Sequence, residues 1–234
     1  MQAFYISKRS GGLALAYVLA LLLLLAGARI FLPPAETASA AYRSGSGSQQ
    51  VASLSVNVDW GNEYIPAILE ALAQAEVKAT FFLSGRWADE YPELARSIAD
   101  AGHEIGNHGY SHTSPNASSV EQIIDEIERT EQAIEKAAGV RTRLYAPPSG
   151  EEQPHVLEAA TEAGYQMILW SVDTIDWQQP PAQTIIERVL GKLHAGAIIL
   201  AHPTAGTAEA LPQLLEQMKA EGYSLVTVSE NLGL

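Results

Sequence analysis

The sequence predicts an α/β fold built from parallel β-α units, and three observations predict it. Seven short runs rich in β-branched and aromatic residues alternate with six longer stretches of helical periodicity. The unusual polar residues fall just past the carboxyl ends of those runs, where function collects in such folds whether the sheet is open or closed. The chain has no cysteine, so neither a disulfide framework nor a cysteine metal site competes with that reading.

The elements follow in chain order. Lys8 and Arg9 precede an uncharged apolar run from Leu13 to Ala28, and Arg29 leads on to Ile30, Phe31 and Leu32. A spanning helix needs roughly 20 apolar residues, so 13–32 is expected to be a transmembrane signal anchor. The basic flank makes 1–12 a cytoplasmic segment, and the protein is expected at the cell membrane as a single-pass species with its domain extracytoplasmic. The competing expectation is a secreted form, because Ala38-Ser39-Ala40 fits a signal-peptide cleavage pattern. Residues 33–50 end in the polar stretch "AYRSGSGSQQ", which reads as a Gly/Ser-rich linker, leaving 51–234 as the folded domain.

Within that domain the expected strands are 53–58, 78–83, 103–107, 142–146, 166–170, 197–201 and 223–228. The expected helices are 63–75, 88–101, 118–138, 153–163, 182–194 and 207–220. The third of these carries the clearest stripe, with Ile123, Ile127, Thr130 and Ile134 on one face and Gly139 at its expected end. The net charge of -13 argues against nucleic acid as a partner, since phosphate binding needs a basic face.

One rim collects the chemistry. Asp59 and Trp60 follow the first strand, and His108 and His112 follow the third. Pro147 and Pro148 follow the fourth, Asp173, Asp176 and Trp177 the fifth, and His202 the sixth. His103 stands at the other end of its strand and reads as a packed or solvated side chain. His108 and His112 are four residues apart, so one helical turn there would aim both imidazoles the same way, as a metal requires. Two capping histidines are the ordinary alternative for so short a pattern. Asp59 could likewise cap a helix, and Asp173 and Asp176 could shape a turn. A single shared site accounts for all of them at once, with a carboxylate as general base and a histidine as general acid.

Together these stretches resemble the polysaccharide deacetylase family, carbohydrate esterase family 4, from about Leu54 to the C-terminus. The resemblance implies a distorted seven-stranded (β/α) barrel that removes acetyl groups from N-acetylglucosamine or N-acetylmuramic units of a cell-wall polysaccharide. "HEIGNHGYSH" is similar to the family's metal motif and implies metal ligation by His108 and His112, zinc being the expected divalent ion. "WSVDTIDW" implies that Asp173 or Asp176 tunes the catalytic histidine and that Trp177 lines the substrate groove. "IILAHPT" implies His202 as general acid and Leu200 as the wall for the acetyl methyl. Pro148 and Trp60 join the expected substrate-binding set.

Two positions depart from the family pattern. "NVDWG" keeps Asp59 at the base position but places Trp60 where the third metal ligand belongs, and an indole cannot ligate zinc. "YAPPSG" places Ala146 where an arginine would orient the base. A Trp-Gly ending to the first motif also resembles a sporulation-associated branch. Two functions from different classes follow. One is a hydrolase acting on an acetylated cell-wall glycan by metal-activated water. The other is a non-catalytic carbohydrate-binding pseudoenzyme on the same fold, with Trp60, Trp177 and Trp87 supplying flat faces for sugar rings.

Overall fold

The structure is a computed structural model that describes residues 40–234. The anchor expected over 13–32 and the segment before it lie outside the described residues. Among the described residues no helix is long and apolar enough to cross a membrane.

Eight strands form one sheet: β1 (Val51–Val58), β2 (Thr80–Leu83), β3 (Glu104–Asn107), β4 (Leu144–Tyr145), β5 (Gln166–Met167), β6 (Val172–Asp173), β7 (Ala197–Ala201) and β8 (Ser224–Leu225). Their order is β5-β4-β3-β2-β1-β7-β6, with β8 added to β1, and every pairing is parallel. The helices are α1 (Ile65–Gln74), α2 (Gly85–Glu90), α3 (Pro92–Asp100), α4 (Val120–Ala138), α5 (Pro154–Glu162), α6 (Ala182–Leu190), α7 (Ala205–Ala220) and α8 (Val228–Leu232).

The sheet buries both faces, and β1 shows how. Ala52, Leu54, Val56 and Val58 pack with Ile65, Ile68 and Leu72 of α1 and with Leu211, Leu214 and Leu215 of α7 in the main core. The alternate residues Ser53, Ser55 and Asn57 point the other way, since strand side chains change face at every step. Register fixes their company on that inner face: Ser53 pairs with Ile198, Ser55 with Thr80 and Leu200, and Asn57 with Phe82, which pairs in turn with Gly106. Phe82, Leu144, Ala146, Ile168, Ile198 and Val228 form an inner cluster. Only glycine fits at position 106, where a Cβ would stand 2.4 Å from the Phe82 ring.

Several expected boundaries move, for local reasons. The helix expected over 88–101 divides into α2 and α3 because Tyr91, preceding Pro92, is held at φ -123. The strand expected over 223–228 stops at Leu225, because Thr227 and Glu230 form a reciprocal capping box that starts α8. The long strand expected over 166–170 ends at Met167, and a short β6 not expected from sequence follows at Val172–Asp173.

Part of the stretch read as a linker is built into the sheet. Tyr42 N–H donates to Met167 O at 2.8 Å, and Leu169 N–H donates to Tyr42 O at 2.7 Å. Gly45 N–H donates to Gly196 O at 2.8 Å, and Ser44 bridges Ala197. Residues 42–45 thus run from the β5 edge to the start of β7, strands that are not neighbours in the strand order. Alternation of small and polar residues concealed this pairing in the sequence.

Candidate active site

The site is the next rung of the inner face. Asp59, His108 and His202 each stand two residues beyond a member of that face: Asn57 on β1, Gly106 on β3 and Leu200 on β7. The two-residue period therefore aims all three into one space. They line a cleft of about 370 Å³ together with Trp60, His112, Asp173, Trp177 and Leu200. The sequence reading missed three more lining residues, Asn57, Ser149 and Trp170. Asn57 Oδ1 is buried with no protein partner, so the cleft floor carries a free acceptor.

Asp59 is held by an arginine that the sequence reading did not find. Arg86 Nε donates to Asp59 Oδ1 at 2.8 Å, and Arg86 Nη2 donates to Oδ2. This is the two-pronged geometry that an arginine at position 146 was expected to supply. Arg86 comes instead from the first turn of α2. That turn is fixed to the histidine loop, because Gly85 N–H and Arg86 N–H donate to Gly109 O and Tyr110 O, both at 3.0 Å. Burial pushes the Asp59 carboxyl up, but the Arg86 guanidinium, joined by the Ser84 hydroxyl and His112, holds the group below the usual carboxylate range. No motif spacing links positions 59 and 86; the only signal was a lone arginine just past the second strand.

His202 sits opposite, held by Asp176. The carboxylate of Asp176 is fully buried. Its Oδ1 lies 2.8 Å from His202 Nδ1, and its Oδ2 accepts from His202 N–H at 2.6 Å and from Thr207 Oγ1 at 2.5 Å. With Nδ1 bound to a carboxylate, Nε2 is the free nitrogen. Of the two aspartates expected to orient this histidine, Asp173 does not touch it; its Oδ1 accepts Ile175 N–H at 2.8 Å and shapes the loop. Trp60 stacks on His202 with ring centroids 5.9 Å apart and planes 8° from parallel. Gly61 permits this, since at φ 76 its Cα approaches so closely that a Cβ would lie 2.0 Å from Pro203 O.

His108 and His112 come together, though not by a helical turn. The loop after β3 bends through positive φ at Gly109 and again at His112 (φ 54), leaving the two rings edge-to-face at 5.0 Å. His108 Nδ1 bonds Ala146 O at 2.6 Å, which leaves Nε2 for a ligand. Burial and the neighbouring His112 lower the His108 pKa to about 3, so the ring is neutral. Ala146 therefore keeps a backbone role although its side chain departs from the family pattern. His103 lies apart from the cleft and accepts Ala79 N–H on Nδ1 at 3.2 Å. Pro148, expected at the substrate groove, does not line the cleft; it packs beside Gly109, with Ser149 at the cleft in its place.

The donor set does not complete a three-ligand metal centre. Among the described residues no group of three His, Cys, Asp or Glu side chains is disposed to hold an ion. Both Asp59 oxygens are engaged by Arg86, and position 60 offers an indole. Among the described residues, His108 and His112 are the pair of imidazoles brought into contact at the cleft.

Comparison with known proteins follows the same line. The family model described as polysaccharide deacetylase matches residues 44–168. The chain belongs to the polysaccharide deacetylase family. This deacetylase-family chain is 45% identical over 175 residues to the uncharacterized protein YlxY of Bacillus subtilis, covering 75% of itself and 55% of that relative. It thus spans about half the length of that relative. It is 38% identical to a peptidoglycan-N-acetylglucosamine deacetylase of Bacillus cereus, over 78% of this chain and 69% of the other. Among solved structures it resembles a CE4 family pseudoenzyme from Bacillus anthracis, with a TM-score of 0.80 and 41% identity over 82% of this chain and 68% of that one. A mutant of the same pseudoenzyme with restored enzymatic activity matches at 40% identity, TM-score 0.80, over 82% of this chain and 70% of the other. The parallel α/β architecture described above is that of the family's barrel.

Proposed function

We propose that this chain binds an acetylated cell-wall glycan in the cleft between Trp60 and Trp177 and removes N-acetyl groups from it as a hydrolase. The observation that carries the reading is the opposed pair of Asp59 and His202, each fixed by a dedicated charged partner, Arg86 and Asp176. Asp59, held as a carboxylate, would take a proton from the attacking water. His202, with Nδ1 on Asp176 and Nε2 toward the cleft, would deliver one to the departing amine. Leu200, buried at the cleft wall, would meet the acetyl methyl. The similarity to deacetylases that act on peptidoglycan supports the substrate class.

A second reading has its own observation. With two imidazoles and no third ligand, the cleft is built to bind sugars without turning them over, a non-catalytic carbohydrate-binding pseudoenzyme. The exposed indoles of Trp60 and Trp177 serve either role, since flat aromatic faces suit sugar rings, whereas Trp87, expected beside them, is buried in the main core. One experiment separates the two: zinc content of the purified domain measured beside acetate release from N-acetylglucosamine oligomers. Acetate release that Asp59→Asn abolishes supports the hydrolase. Oligomer binding with no release supports the pseudoenzyme, and neither binding nor release overturns both.

We further propose that residues 13–32 anchor the protein in the cell membrane with the domain outside. Full-length protein should then fractionate with membranes and yield to protease added from outside. A soluble secreted form beginning at Ala41 would overturn the anchor.

A further inference from the structure

A second cleft of about 420 Å³ adjoins the first, and Trp60 is a wall of both. It is formed by the loops after β1, β6 and β7, at the same carboxyl end of the sheet. Tyr64 and Trp60 supply aromatic surface, Gln179 and Pro180 a rim, and Glu209 a carboxylate. No lysine, arginine or histidine lines it. Glu209 makes no ion pair among the described residues. The cleft therefore pairs two aromatic rings with an anion that has no protein counter-charge.

That combination is complementary to a cation carried on a ring-shaped, hydroxyl-rich body. Aromatic faces attract ammonium groups, and a carboxylate beside them supplies the opposite charge. The de-N-acetylated sugar, a glucosamine unit, has this chemistry; its N-acetylated form has no charge to offer. We infer that the second cleft binds a glucosamine unit of the same glycan, next to the acetylated unit held between Asp59 and His202. The inference rests on the reading of the first cleft given under Proposed function. It makes the protein a reader of partly deacetylated chains: one sugar recognised by its free amine, its neighbour by its acetyl group.

The test is calorimetric titration of the described domain, residues 40–234, with two tetrasaccharides, one of glucosamine and one of N-acetylglucosamine. The proteins are the parent, Glu209→Gln and Tyr64→Ala. Glu209 is exposed on α7, so the glutamine variant is expected to fold. Glu209→Gln should weaken glucosamine binding by about three- to tenfold, within the range of an exposed cation site. It should leave N-acetylglucosamine binding within about twofold, and raising the salt should erase the difference between parent and variant. Glucosamine binding unchanged by Glu209→Gln, or lost equally for both sugars, would overturn the inference. Acetylated oligomer failing to bind while glucosamine binding still depends on Glu209 would instead overturn the proposed first-cleft function and leave the amine site standing.

Discussion

Arg86 grips both carboxylate oxygens of Asp59 from a helix that no family motif would nominate. The bond joins the end of β1 to the start of α2, across the loop that carries His112. Arg86 thus supplies the two-pronged contact that the family resemblance assigns to an arginine at position 146.

The first prediction concerns that bond. Arg86→Met should raise the Asp59 pKa, because the main group that opposes burial is removed and desolvation remains. The sign is direct: a raised carboxyl pKa moves the acid limb of any acetate-release profile to higher pH. Carbon-detected NMR titration of Asp59 reads the shift without relying on turnover. Arg86→Lys should restore part of it, since a single ammonium replaces a two-pronged donor. An unmoved Asp59 titration would show that Arg86 leaves the carboxyl untouched.

Position 60 supplies the second prediction. Trp60→Asp adds a carboxylate beside the His108 and His112 pair and should tighten zinc binding by more than about tenfold, ~1.4 kcal/mol, over Trp60→Ala. Trp60 is 45% exposed, so its removal costs less than that of a buried tryptophan. The alanine variant controls for loss of the stack on His202. A folded Trp60→Asp with no gain in zinc affinity would place position 60 away from the imidazoles.

The two neighbouring aspartates should behave differently. Asp176→Asn removes the charge from a buried group that binds His202 twice and Thr207 once. It should weaken the bond to His202 Nδ1, moving the ring's Nδ1 nitrogen resonance, and lower any turnover about 10²- to 10⁴-fold. Asp173→Asn should leave that resonance in place, because Asp173 bonds its own loop. Equal effects from the two would contradict the assignment of Asp176 as the partner of His202.

Acid sensitivity should trace in part to His103. Burial, with a contribution from Lys78, lowers its pKa from 6.5 to about 4, and its Nδ1 accepts Ala79 N–H. Protonation would set a donor against a donor. The unfolded chain binds the proton first, so stability is present above pH 6.5 and declines as pH falls toward 4. The fall in urea midpoint between pH 7 and pH 4.5 should be smaller in His103→Gln, whose amide oxygen can accept at any pH. An identical fall in both proteins would remove His103 from the account.

Much of the fold was readable because its signals are local. The stripe of Ile123, Ile127, Thr130 and Ile134 is buried as its period required, and the capping glycine at 139 takes φ 72. Asp59, His108, His112 and His202 were readable because strand ends in parallel α/β folds converge. What stayed hidden depends on tertiary placement. Arg86 meets Asp59 across 27 residues, and nothing in either neighbourhood announces it. The choice between Asp173 and Asp176 turns on a loop conformation, with left-handed Ile175 between them. Tyr42 looked like linker because a single pairing residue carries no periodicity.

That pairing near Tyr42 sets where the chain tolerates cutting. Met167, Leu169 and Gly196 have their backbone groups satisfied by Tyr42 and Gly45. A protein trimmed to begin at Val51 would leave those groups without their partners and open the β5 edge, the kind of surface along which copies adhere. Cleavage after Ala40 would spare every one of these bonds. The stretch that reads as a tether is therefore a closing strap of the folded body.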